Sequence, residues 1–166
     1  MPRMDFSELP LDARIWIFGS DRPLTTDAER ALLAEVDGFL ERWAAHGEPL
    51  RSAREWRDGR FLVIGVDHTQ AHASGCSVDG LFRAFQRLEP EIDAQLLGGG
   101  RVYYRAQSGE IASVARDDLK ARIAAGEITS DTMMFDTTLT SLRDYRGGFE
   151  RPVRDSWMAR AVAAVR

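Results

Sequence analysis

Two uninterrupted apolar runs stand out along the chain, Ile15-Trp16-Ile17-Phe18 and Phe61-Leu62-Val63-Ile64-Gly65-Val66. Runs this short and this continuous predict strands buried on both faces. Between them Leu32, Val36, Phe39, Leu40 and Trp43 recur at helical spacing. Thr26 is the expected N-cap, with Glu29 completing a capping box, and Gly47 the expected stop. Residues 52–57 alternate weakly and carry many charges, which predicts an exposed edge strand. Asp58-Gly59 then predicts a type I′ hairpin turn, because both central positions of that turn need positive φ. Beyond the second run, Val78, Leu81, Phe82, Phe85 and Leu88 form the apolar stripe of a second helix that should end near Pro90. Ile92, Leu96 and Leu97 suggest one more helical turn before Gly98-Gly99-Gly100.

The later pattern is weaker. Val102-Tyr103-Tyr104 and Ile111-Ala112-Ser113-Val114 flank Ser108-Gly109 as a hairpin, and successive side chains on its first strand put one tyrosine on each face. Asp117 should cap a helix over 118–125, stopped by Gly126, and a last helix should run through Ala164. Residues 127–156 carry no strong periodicity.

The elements through residue 105 read β-α-β-β-α-β, the ferredoxin-like order. Right-handed crossovers give that order a sheet arranged 4-1-3-2. The two apolar runs would then be central, with the arginine-studded strands 52–57 and 101–105 at the edges. The fold class expected is therefore α+β: a ferredoxin-like domain over 1–100 and a small hairpin-and-helix part over 101–166, with strand 101–105 open to either.

Composition narrows the function classes. The chain has 166 residues, 44% hydrophobic and 29% charged, enough for a genuine core. A net charge of −4 argues against a sequence-blind grip on nucleic acid or anionic lipid. The one cysteine excludes an intrachain disulfide, no apolar run reaches membrane-spanning length, and the N-terminus lacks a signal-peptide core. A cytoplasmic protein is the expectation.

Candidate chemistry converges on residues 67–80, which hold Cys76, His68, His72, Asp67 and Asp79. A cysteine at a helix N-terminus sits where the macrodipole favours thiolate. Cys76 as nucleophile, with His46, His68 or His72 as base and Asp67 or Asp79 to orient it, follows the logic of an activated nucleophile. The duller readings are a structural cysteine, charge compensation by Asp79, and N-caps at Ser74 or Ser77. Ser74, Gly75 and Ser77 could also present amides to a phosphate or carboxylate. His68, His72 and Cys76 are spaced H-x3-H-x3-C, but they lie in a loop and supply only three groups, so no metal site is assigned. No cofactor is expected. Walker A, dinucleotide-binding, nucleophile-elbow and HExxH motifs are all missing.

Two resemblances attach to these residues. Trp43-x-x-His46-Gly47-x-Pro49-Leu50, Asp67 and Ala73-Ser74-Gly75-Cys76-Ser77-x-Asp79 resemble a family of small bacterial proteins of uncharacterised function, often labelled "ABC transporter ATPase". Without a Walker A loop, ATPase activity is not expected. Val102-Tyr103-Tyr104, Gly109-Glu110-Ile111, Asp118-Leu119-Lys120 and Gly126-Glu127-Ile128-Thr129-x-Asp131-Thr132 are similar to GYF-like adaptor modules. That resemblance implies a small sheet with one helix that binds proline-rich peptides through aromatic side chains. The combined reading is a non-catalytic module for a protein or small anionic ligand. The alternative is a small-molecule enzyme using Cys76.

Overall fold

In the computed structural model, which describes residues 3–165, the longest apolar run becomes a strand with every residue buried. The chain is α+β. Its elements are β1 (Arg14–Gly19), α1 (Thr26–Arg42), β2 (Ala44–Ala45), β3 (Glu48–Pro49), β4 (Arg51–Arg57), β5 (Phe61–Asp67) and α2 (Gly75–Ile92). There follow β6 (Arg101–Arg105), β7 (Ile111–Ala115), α3 (Leu119–Ala124), β8 (Met133–Phe135), α4 (Leu142–Gly148), β9 (Glu150–Pro152) and α5 (Ala159–Ala164). Two compact units result. The first is the chain through Leu97 with Leu139–Arg146, and the second is Gly98–Thr138 with the residues from Gly147 onward. Residues 139–146, expected within a 101–166 part, thus belong with the first unit.

In the first unit β5 is central, antiparallel to β1 and to β4. Leu62, Ile64 and Val66 face the apolar stripes of α1 (Leu32, Val36, Leu40) and α2 (Leu81, Phe85, Leu88) in one core cluster. The opposite face is covered by the lead-in and the returning segment: Leu9 lies over Gly65, and Phe6 meets Tyr145 edge to face at 6.2 Å. Tyr145 donates a short hydrogen bond to the Glu55 carboxylate of β4, and the Arg57 guanidinium lies 5.5 Å from its ring. Burial pushes the Tyr145 hydroxyl far above its ordinary pKa.

The structure departs from the expected sheet at its fourth strand. Arg101–Arg105 does not pair with β1; it pairs with β7 and β8. Beside β1 runs the returning segment instead, with Ile15 N–H donating to Thr140 O at 2.9 Å and Leu142 N–H to Ala13 O at 3.0 Å. β1 is only half-buried along Trp16 and Ile17, not sealed on both faces.

Several boundaries also move. Thr25 caps α1, accepting from Ala28 N–H, and leaves no capping box for Glu29. Helix α1 stops at Arg42, and Gly47 turns the β2–β3 hairpin. Pro90 does not end α2, which runs to Ile92 before Asp93 turns left-handed at φ 50°. Asp58 and Gly59 have φ of 56° and 65°, the turn their sequence predicts.

The second unit is a sheet in the order β7-β6-β8-β9. Val102, Tyr104, Val114, Leu119, Ile123, Ile128, Met134, Val153 and Met158 form its core. Both Tyr103 and Tyr104 are buried, so neither ring is free on a face. A short 3-10 turn, Arg116–Asp118, leads into α3, and neither Asp117 nor Asp118 caps it through its side chain. Gly126, at φ 77°, follows the end of α3.

A Cβ at Gly65 would sit 2.5 Å from Leu9 Cδ1, and Leu9 is itself buried. Gly65→Ala is therefore expected to destabilise the fold by about 1–3 kcal/mol, the usual cost of overpacking. The loss should shrink in the Leu9→Ala background, as measured by a urea-denaturation double-mutant cycle.

Candidate functional site

The loop from β5 to α2 begins at Asp67, the last residue of the buried strand. Its Oδ1 accepts from Thr69 N–H at 3.0 Å, and its Oδ2 lies 3.5 Å from Arg51 Nη1, Arg51 being its cross-strand partner. Burial pushes the carboxyl up. The hydrogen bonds from Thr69, with the charges of Arg51 and His68, outweigh that and hold it below the usual aspartate value.

The loop ends at a reciprocal serine cap. Ser77 N–H donates to Ser74 Oγ at 3.2 Å, while Ser74 N–H donates to Ser77 Oγ at 2.8 Å. Ser77 Oγ also donates to the Ser74 carbonyl at 2.8 Å. Both hydroxyls are engaged in starting the helix, which is the capping role the sequence left open for them. Gly75 is exposed, with open space where a Cβ would stand.

Cys76 is exposed as the second residue of α2, and Asp79 is exposed three residues on, one helical neighbour away. His46 is also exposed, at φ 51° beside Gly47 in the β2–β3 turn. What ties that hairpin to α2 is Trp43, whose buried indole N–H donates to the Ser77 carbonyl at 2.8 Å. Its ring packs edge-on against Trp16 at 6.0 Å and tilted against Phe39 at 5.6 Å. So the Trp43–Leu50 and Ala73–Asp79 motifs do meet, through an indole–carbonyl bond. No hydrogen bond or ion pair joins Cys76 to His46, Asp67 or Asp79. Among the described residues no cluster of three or more His, Cys, Asp or Glu side chains is arranged to hold a metal ion.

In the second unit the structure presents a cleft whose lining the sequence did not nominate residue by residue, though Tyr104, Ser108, Gly126 and Glu127 lie in stretches that it did mark. A cleft of about 420 Å³ is lined by Tyr104, Ala106, Gln107, Ser108, Ala125, Gly126 and Glu127. One wall is the end of β6 and the turn after it; the other is Ala125, Gly126 and Glu127, just beyond α3. Tyr104 Oη donates to Glu127 Oε2 at 3.4 Å, and Arg122 Nη1 lies 2.9 Å from that same oxygen. Burial, then the neighbouring carboxylate of Glu127, raises the Tyr104 hydroxyl's pKa. The available signals were Tyr104 with the turn after it and the glycine stop at Gly126; that these residues line one cleft follows from packing.

Comparison with known protein families, with curated proteins and with solved structures found no match to this chain.

Two expectations follow. Asp67→Ala, by leaving the Thr69 amide and the Arg51 charge unanswered, should cost about 1–3 kcal/mol at neutral pH. Because the native carboxyl is lowered, that stabilisation is complete above its ordinary 3.8 and is lost as pH falls through the native value. Wild-type and variant melting temperatures should thus converge in acid. Exposed Cys76 should be alkylated by iodoacetamide in the folded protein without denaturant, which mass spectrometry of the native state checks.

Proposed function

We propose that the protein is a non-catalytic binding module whose C-terminal unit accepts a short extended peptide of a partner protein. The carrying observation is the cleft beside Tyr104, open between the β6–β7 turn and the end of α3. Its apolar floor and few convergent polar groups suit a peptide held by shape and a small number of hydrogen bonds. The GYF-like resemblance of the Tyr103-Tyr104 strand, Gly109 turn and 118–132 segment supports the same reading and suggests proline-rich sequence as the peptide class. Likewise, β1, β4, β5, α1 and α2 are consistent with a ferredoxin-like core in which the returning segment stands in for the outer strand.

The residues nominated for chemistry support binding over catalysis. Asp67 is committed to Thr69 and Arg51, Ser74 and Ser77 to each other, and Cys76 has no base hydrogen-bonded to it. The membership suggested by the Trp43–Leu50 and Ala73–Asp79 motifs is consistent with this, since the Trp43–Ser77 bond gives those motifs a structural purpose.

An NMR titration with a synthetic proline-rich decapeptide tests the proposal. Amide shifts are expected at 106–108 and 125–127, and Ala125→Trp, which fills the cleft from an exposed position, should weaken binding by about tenfold or more. A titration with inorganic phosphate runs beside it. Peptide shifts confined elsewhere, or none at all, would falsify the assignment, and phosphate shifts at 75–77 alone would move the binding site to the start of α2.

A further inference from the structure

We infer that the stacked imidazoles of His68 and His72 form an acid-sensitive clasp on the loop joining β5 to α2. The two rings lie nearly parallel, 18° apart, with centroids separated by 4.7 Å. Such a stack holds while at least one ring is neutral. When both are protonated, two like charges face each other across it.

The surroundings give that second proton little support. Facing His68 are His72 from the same loop, Arg14 of β1, Asp12 just before β1, and Asp67 at the end of β5. Arg14 adds a further positive charge. Asp67 is already shared between Thr69 and Arg51, and Asp12 is exposed. His68 Nδ1 is buried with no hydrogen-bond partner, so a proton placed there has no acceptor. Burial first, then His72 and Arg14, depress His68 against the opposing pull of Asp12 and Asp67. A depressed histidine favours its neutral form in the native state. Its stabilisation is complete above the ordinary value of 6.5 and is lost as pH falls through the native one.

The loop is held at its two ends by Asp67–Thr69 and by the Ser74–Ser77 cap, with Ala71 and Ala73 resting on the core. Across the middle, the ring stack closes His68 onto His72. Acid therefore releases residues 69–73 locally while the sheet stays intact. The device is separate from the cleft of the second unit, and its truth does not depend on peptide binding there.

Hydrogen exchange read by mass spectrometry, corrected for intrinsic rates, tests this at about pH 7.5 and about pH 5.5, the span in which histidine switches act. Protection of the Thr69 amide, which donates to Asp67 in the closed loop, is expected to fall about tenfold or more at the lower pH, with β5 amides still protected. His72→Phe keeps an aromatic face but cannot charge, so its loop should stay protected at the lower pH. Ring-proton titration should place His68 below 6.5 in the wild type. Unchanged loop protection, an equal loss in His72→Phe, or loss shared with β5 would each overturn the inference.

Discussion

Burying β5 along its whole length is the constraint from which the first unit follows. A buried strand must have its backbone hydrogen-bonded on both sides and both its faces covered. The ladders to β1 and β4 meet the first demand, and α1 with α2 cover one face. The other face cannot be served by helices that both cross on the same side. It is closed by Leu9 from the lead-in and by a segment that comes back after residue 138. Phe6, Tyr145, Glu55 and Arg57 lock that cover in place.

The same constraint explains why the region densest in candidate chemistry is so self-contained. A carboxylate at the end of a buried strand must find donors, and Asp67 finds them in Thr69 and Arg51. A helix entering the core must have its first amides capped, and Ser74 and Ser77 do that for each other. Trp43 satisfies its indole on the first turn of α2 and so holds the His46 hairpin there. Asp67, Ser74 and Ser77, which look reactive when written in a line, are thus occupied in stabilising a junction, while Cys76, Asp79 and His46 stand exposed. The second unit, with a smaller core, leaves an open gap between two turns.

Much was legible from the chain alone because it depended on local pattern. The apolar run 61–66, the stripes of α1 and α2, the Asp58-Gly59 turn and the 101–115 hairpin all rest on periodicity or on a required backbone angle. The α+β class followed from their order. Boundaries shifted where neighbours competed for one role, as when Thr25 took the cap from Thr26. Strand β8, with three residues, is too short to show a period, and the helix pattern of α4 is broken by its glycines.

What only tertiary structure decided were the partners of edges and of polar groups. The residues of 101–105 are equally fit to flank β1 or to pair with β7 and β8. The choice went to the strands nearest in sequence, while 139–146 filled the place beside β1. Likewise, residue type and spacing could nominate Cys76, His46, Asp67 and Asp79, but could not say that Asp67 is sealed and the other three exposed. Secondary structure is set over a few neighbouring residues, and sequence carries that information directly. Which side chains end within hydrogen-bonding reach is set by how distant segments pack, and no local pattern encodes it.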